Sequence, residues 1–482
     1  MEYRDKILNY IDSQFHLVPH LIEQATEKGN FKTRFSFLRL RQILVNFIGD
    51  KNSERLVILP GLRGVGKTTL LYQLYRLINR NNMCKKENNL YLSCDVLSKQ
   101  GFELKDVIDV YEDKILGTPF EKIKEKVVIM IDEAHYCENW GDIVKIIYDR
   151  SKNILIFVSG SSSLPLELST DVVRRSRIER VYPLSFLEYL ILKGNGFFPY
   201  DGLKEDLRNA LFNSRNSGDA FLLLEKVIKG FRNKILPISP NYRKEFEDFI
   251  IFGGFPFTML QKQDIIIFQK IIAILEKIIY QDLLTYSSLS KETLNKIFPI
   301  LNILSDTVSP ISFETLSNNQ ENIKKTQVFE IISNLNKAGV LEGIPIEGPI
   351  TKVERNSRKY MFSVPSIRSA LIWNQGKFKK SSEVLGKLLE DAVFNTLKRE
   401  QIFSKNVIGI SYPESQNSDF IIKTSWGKII IECCWGDKDV KGIIKVMKEE
   451  DASFGIIVSD NGEKFLKEEN ILYIPKEIFL LL

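Results

Sequence analysis

The stretch Gly61-Leu62-Arg63-Gly64-Val65-Gly66-Lys67-Thr68 constrains this chain more than any other. It satisfies G-x-x-x-x-G-K-[ST] in full and stands between an apolar run, Leu56-Val57-Ile58-Leu59, and a helical pattern, Thr69-Leu70-Leu71-Tyr72-Gln73-Leu74. Strand, glycine turn and helix in that order make a phosphate cradle. The glycines let backbone N–H groups converge, and the helix N-terminus favours negative charge. Gly61, Arg63, Gly64, Val65, Gly66, Lys67, Thr68 and Thr69 are the candidate nucleotide-binding residues. Lys67 is expected to neutralise the β and γ oxygens of ATP, and Thr68 to ligate Mg²⁺. A plain strand-to-helix turn would explain the glycines but neither Lys67 nor Thr68.

Three further apolar runs follow, Leu90-Tyr91-Leu92, Val127-Val128-Ile129-Met130-Ile131 and Ile154-Leu155-Ile156-Phe157-Val158. Continuous rather than alternating runs suit strands buried on both faces, so the class is α/β, a parallel sheet covered by helices. The second run ends in Asp132-Glu133, and the carboxyl ends of such strands face the ligand in an open sheet. Asp132 is expected to hold Mg²⁺ and Glu133 to orient or deprotonate the attacking water. The blander alternative is two solvated acids at a strand end. His135 reads as a supporting or structural residue. Among Arg174-Arg175-Ser176-Arg177, Arg174 or Arg175 is the candidate arginine finger reaching a neighbouring subunit, weighed against a solvated charge run.

At 482 residues the chain exceeds one hydrophobic core, and about 150 residues per domain gives roughly three units. Hydrophobic residues at 44% and charged residues at 27% exclude a largely disordered chain. No run of about 18 uncharged apolar residues and no signal-peptide plan occur, so a soluble, cytoplasmic protein without a membrane partner is expected. Five cysteines lack CxxC spacing and read as reduced thiols rather than zinc ligands. Lys plus Arg exceed Asp plus Glu by 67 − 61 = 6, which permits a nucleic-acid partner without demanding one.

The periodicities divide the chain into a helical segment (1–54), the nucleotide-binding core (55–190), a helical lid (191–285) broken by Gly253-Gly254-Phe255-Pro256, a helix with a two-stranded wing (286–375), and a small α/β unit (381–482). Lys324, Lys325, Lys352, Arg355, Arg358 and Lys359 place positive charge on the winged-helix segment, where they could meet DNA phosphates; the alternative is a protein-binding module. In the last unit Asp419 begins one strand and Glu432 lies in the next, so a hairpin could bring both to one metal ion, with Glu390 on the preceding helix as a third acid.

In this order the pieces resemble the archaeal-type AAA+ ATPases that carry a winged helix and a C-terminal nuclease-like domain of the PD-(D/E)xK type. The resemblance covers roughly residues 30 to 482. It rests on the loop, Ile131-Asp132-Glu133-Ala134-His135-Tyr136 with Asn139-Trp140, Ser159-Gly160-Ser161-Ser162, Pro183-Leu184-Ser185-Phe186-Leu187-Glu188-Tyr189, Gly253-Gly254-Phe255-Pro256 and Ser418-Asp419-Phe420…Ile431-Glu432. It implies ATP hydrolysis, homo-oligomers and a DNA-linked role, with Ser161 or a neighbour as the polar sensor of the γ-phosphate or the water. Active nucleases of this type place a lysine two residues after the glutamate. Cys434 stands there, and Lys438, past the strand, is the only substitute, so a degenerate, structural or DNA-clamping domain is expected rather than cleavage. The functional expectation is an ATP-driven machine acting on double-stranded or branched DNA or a DNA-bound partner. The alternative is a nucleotide-dependent signalling switch that exposes the winged helix to a protein.

Overall fold

The computed structural model describes residues 2–25, 33–51, 54–163, 169–194, 202–235, 241–287, 289–320, 323–349, 357–436, 439–460, 464–466 and 469–482. Two compact units divide the chain, Met1–Tyr182 and Pro183–Leu482.

The first unit runs α1 (Tyr3–Ala25), α2 (Phe35–Ile48), β1 (Leu56–Pro60), α3 (Lys67–Arg80), β2 (Asn89–Ser93), β3 (Val127–Asp132), β4 (Ile154–Gly160) and the two-residue β5 (Arg177–Ile178), with short helices between. Its strands form one parallel sheet in the order β2-β3-β4-β1-β5. Every residue of β1, β3 and β4 is buried, which is why those runs carry no polar alternation. Strand β4 lies between β1 and β3 and so separates the glycine loop from Asp132 in the sheet. The first helix shares this core: Ile7, Tyr10, Ile11 and Phe15 of α1 pack with Leu56, Ile58, Ile129, Ile131 and Ile156. Full burial of such a side chain stabilises by about 1.5–3 kcal/mol, so α1 is part of the sheet's own core.

In the second unit a succession of helices precedes β6 (Leu341–Ile344) and β7 (Lys359–Phe362), an antiparallel pair. The helices Pro365–Asn374 and Ser382–Phe403 lead into β8 (Val407–Ser411), β9 (Phe420–Thr424), β10 (Lys428–Cys433), β11 (Phe454–Ser459), β12 (Lys464–Leu466) and β13 (Ile471–Pro475). They form a mixed sheet ordered β12-β13-β11-β10-β9-β8, in which β10, β11 and β13 are parallel and β8, β9 and β12 run antiparallel to their neighbours. The expected break at Gly253-Gly254 ends the helix Tyr242–Phe252. Gly254 has φ +94, and a Cβ there would lie 2.3 Å from Val364 Cγ1, so glycine is required on both counts. A fully buried clasp joins the two helices that follow β7: Arg368 Nε and Nη2 donate to Asp391 at 2.6 and 3.0 Å, while Nη1 serves the carbonyls of Leu304, Ser305 and Thr307. Among the described residues no helix is long and apolar enough to cross a membrane.

Candidate functional site

The loop leaves β1 through Gly61, whose missing side chain is a packing requirement, since a Cβ would fall 2.5 Å from the Val181 carbonyl. Gly64 and Gly66 then take φ +85 and +93, and the left-handed turn points the chain into α3. Lys67 opens that helix, 4% exposed, its ammonium donating to the carbonyls of Gly61 at 3.0 Å and Leu62 at 3.4 Å. A buried cation solvated by two neutral carbonyls beneath a helix N-terminus suits a polyanion. Arg63, Thr68 and Thr69 are half-buried and Val65 is buried.

Asp132 ends β3, 2% exposed, with both carboxylate oxygens held. Oδ2 accepts from the Tyr91 hydroxyl at 2.7 Å and Oδ1 from Ser159 Oγ. Burial and then the neighbouring Glu133 charge push its carboxyl up, against hydrogen bonds from Ser159, Thr68 and Tyr91 that pull it down. The Thr68 hydroxyl and the Asp132 carboxylate therefore meet, as a shared Mg²⁺ position requires. Glu133 sits at φ +52, a sparsely populated conformation for a residue with a side chain, and its N–H donates to the same Ser159 hydroxyl at 3.2 Å. One serine on β4 thus holds the Asp132 carboxylate and the Glu133 backbone.

His135 lies in the short turn Ala134–Tyr136, its Nδ1 3.4 Å from Ser161 N and 3.5 Å from Glu133 Oε2. Burial, then the charges of Lys67 and Arg63, bring its pKa down to about 4, so the ring is neutral near pH 7 and its contact with Glu133 is no ion pair. Ser161 Oγ shares a hydrogen bond with Ser163 Oγ at 2.9 Å. Arg63 Nη1 donates to the Tyr136 hydroxyl at 3.3 Å, tying the glycine loop to the turn after the acids.

Sequence reasoning missed three supports. Tyr91 and Ser159 hold Asp132, and a polar residue ending an apolar strand was the available signal for Ser159. Arg34, 6% exposed just before α2, donates to the Val65 carbonyl at 2.6 Å and to the Tyr182 carbonyl at 2.8 Å. It braces the loop from a segment whose sequence carries no motif. The structure does not bring Arg174 and Arg175 to this site. On the helix Thr170–Arg175, Arg175 pairs with Asp149 at 3.0 Å and donates to the Asp171 carbonyl, while Arg174 pairs with Asp171 and is 75% exposed.

The second unit corrects two expectations. Lys359, taken as a wing cation for phosphates, is buried: its ammonium lies 2.6 Å from Glu390 Oε2 and 3.0 Å from Asp419 Oδ1. For the same reason Glu390, Asp419 and Glu432 do not gather round a metal, since the ammonium stands between the first two and Asp419 Oδ2 accepts from Cys433 N at 2.8 Å. Among the described residues no cluster of three His, Cys, Asp or Glu is placed to hold a metal ion. Burial pulls Lys359 down, but the charges of Asp419 and Glu390 outweigh it and leave the ammonium raised. Burial and the facing Asp419 charge push Glu390 up to about 8. Glu390 is thus a group of this cluster whose ionisation falls near neutral pH. Lys324 and Lys325 are exposed, and Arg358 is half-buried with Nη1 3.5 Å from the Gly343 carbonyl. Lys352, Arg355 and Lys438 lie outside the described residues.

Residues 53–190 match the AAA domain family. That match, the parallel sheet and the glycine loop define the class, an AAA+ P-loop protein. Over 488 aligned residues the chain is 32% identical to the uncharacterized protein MJ1637 of Methanocaldococcus jannaschii, covering all of this chain and 94% of that one. The chain belongs to the family of that protein. A DNA polymerase III subunit gamma/tau from Mycoplasma genitalium is 28% identical over 158 residues, 29% of this chain and 26% of that one. Among solved structures, the Aeropyrum pernix ORC1 protein in complex with DNA covers 70% of this chain and 92% of its own at 14% identity and a TM-score of 0.30.

Proposed function

We propose that this protein binds and hydrolyses ATP and uses the turnover on DNA or a DNA-bound partner. The observation that carries the hydrolytic reading is the meeting of Thr68 with Asp132 directly beside Glu133, under a loop built on Gly64, Gly66 and Lys67. Lys67 neutralises the β and γ oxygens. Thr68 and Asp132 would hold Mg²⁺, which when bound draws off phosphate charge. Glu133 accepts the proton of the attacking water as its oxygen bonds to the γ-phosphorus and the bond to the β–γ bridging oxygen breaks, leaving ADP and phosphate. Ser161, just past the end of β4, would read that change, and Arg174 or Arg175 would act across a subunit boundary in a homo-oligomer. We place the protein in the cytoplasm.

The DNA half of the reading rests on the resemblance of this chain's family pattern, the gamma/tau subunit among its partial relatives, and the exposed Lys324 and Lys325 beside the helix Lys325–Lys337. The six-stranded sheet is read as structural or DNA-clamping rather than cleaving, because Cys434 stands where the lysine is expected and Lys359 pairs with two of the three candidate acids, Glu390 and Asp419. Withdrawal of Lys359 from the candidate phosphate contacts favours the second reading, a nucleotide-dependent switch that presents the β6–β7 hairpin and its helix to a protein. ATPase rates measured with no DNA and with single-stranded, double-stranded and branched DNA separate these readings. No hydrolysis under any condition sinks the first claim, and hydrolysis indifferent to every DNA favours the switch.

A further inference from the structure

His135 lies beside Glu133, its Nδ1 3.5 Å from Oε2, and the mechanism above does not use it. Its side chain is 2% exposed, enclosed between the turn after the acids and the start of the Ser161 loop, with the Tyr136 ring 4.4 Å away. The charges acting most strongly on the ring are those of Lys67 and Arg63, both in the glycine loop, and then Asp132. The ring is thus within electrostatic reach of the glycine loop and next to Glu133 and Ser161.

The hydrogen-bond inventory of the ring can be completed. A backbone N–H can only donate, so Ser161 N, 3.4 Å away, makes Nδ1 an acceptor. A neutral imidazole with its lone pair on Nδ1 carries its proton on Nε2. Nε2 is buried and has no hydrogen-bond partner among the described residues. Native structures leave few buried donors unmatched, and those they do leave tend to belong to sites where function supplies the partner. Here the expected guest is a polyphosphate, which consists of acceptors.

We propose that His135 reads the terminal phosphate: Nε2–H donates to a γ-phosphate oxygen of ATP, while Nδ1, through Ser161 N, passes the ring's position to the β4 loop. ADP offers no γ oxygen, so this contact distinguishes the two nucleotides. It joins Glu133, whose carboxylate faces the same ring, to Ser161 without invoking an ionised histidine. The inference rests on the ATP reading and adds to it a residue that discriminates between the states before and after hydrolysis.

The test uses the full-length protein with Mg²⁺ and compares affinities for the non-hydrolysable analogue AMP-PNP and for ADP. His135→Asn keeps an acceptor at the Nδ1 position and loses the Nε2 donor; His135→Gln places an amide N–H where Nε2 was. A lost hydrogen bond to a charged partner weakens binding about 10-fold or more. His135→Asn is therefore expected to weaken AMP-PNP by about that factor with ADP changed less than about 2-fold, and His135→Gln to recover most of the difference. Equal weakening of both nucleotides by His135→Asn would show a merely structural ring and overturn the proposal, as would no change in either. Wild-type protein that binds neither nucleotide would instead overturn the ATP reading on which the inference stands.

Discussion

Replacing Lys359 with methionine is the sharpest test of the charge arrangement in the second unit. The substitution keeps the length of the side chain and removes an ammonium that lies 2.6 Å from Glu390 and 3.0 Å from Asp419, in a slot where the lysine side chain is 6% exposed. Removing one partner of a buried pair costs about 3–5 kcal/mol, because the remaining charge stays desolvated and uncompensated. That is a large part of the 5–15 kcal/mol or so that holds an ordinary domain together. The loss should depend on pH. Glu390 is pushed up to about 8 in the fold from an ordinary value of 4.5, so its contribution to stability is complete below about pH 4.5 and is lost as the pH rises through about 8. At pH 6 Glu390 retains its proton, and Lys359→Met exposes only the Asp419 charge. At pH 9 Glu390 is ionised in the wild type beside Lys359, and without the ammonium that holds its carboxyl down it must either keep its proton or face Asp419 uncompensated, so the larger loss, approaching about 3–5 kcal/mol, is expected there. Three of the four tryptophans, Trp373, Trp426 and Trp435, belong to this unit, and urea unfolding followed by their fluorescence reads it directly. Adding Asp419→Asn to Lys359→Met should return part of the loss at both pH values. Midpoints unchanged from wild type at pH 6 and pH 9 would refute the buried charge cluster and return Lys359 to the surface.

Lys67→Ala should lose nucleotide affinity and turnover together, whereas Glu133→Gln should bind ATP and fail to hydrolyse it; wild-type turnover by Glu133→Gln in a phosphate-release assay would remove Glu133 from its role. Arg34→Met should raise the KM for ATP severalfold without abolishing turnover, since it frees the Val65 carbonyl but touches no reacting group, and an unchanged KM would make Arg34 purely structural. Mixing Arg175→Ala with Lys67→Ala subunits should restore some activity if Arg175 acts across a subunit boundary, and mixtures no better than either variant alone would dismiss it. If the hairpin segment holds duplex DNA, affinity should fall with salt by about 0.9 log units per phosphate contacted, and replacing Lys324, Lys325 and Arg358 should flatten that slope. An unchanged slope would move the contact elsewhere.

The strands and the glycine loop were legible because they depend on local rules, namely continuous burial, left-handed glycines and a helix that begins at Lys67. Asp132 was legible for the same reason: a carboxylate at the end of a buried strand has few other uses. Its holders were not. Tyr91 reaches it from a neighbouring strand and Ser159 from β4, and only the strand order β2-β3-β4 sets them there. Arg34 is visible only once the chain before α2 is laid against Val65. Lys359 misled for a related reason. Read along the chain it belongs to a charged hairpin, but it pairs with Ile344 in the β6–β7 ladder and places its ammonium on acids that follow 31 residues later at Glu390 and 60 later at Asp419.

That placement bears on how the gene can be cut. The polar stretch near residue 380 invites separation of a C-terminal fragment, yet the scissors would pass between Lys359 and both its carboxylates, and between Arg368 and Asp391. A piece beginning at 381 would carry three acids selected for a cationic company it no longer has. The piece that inherits a closed set of charges is the whole of Pro183–Leu482.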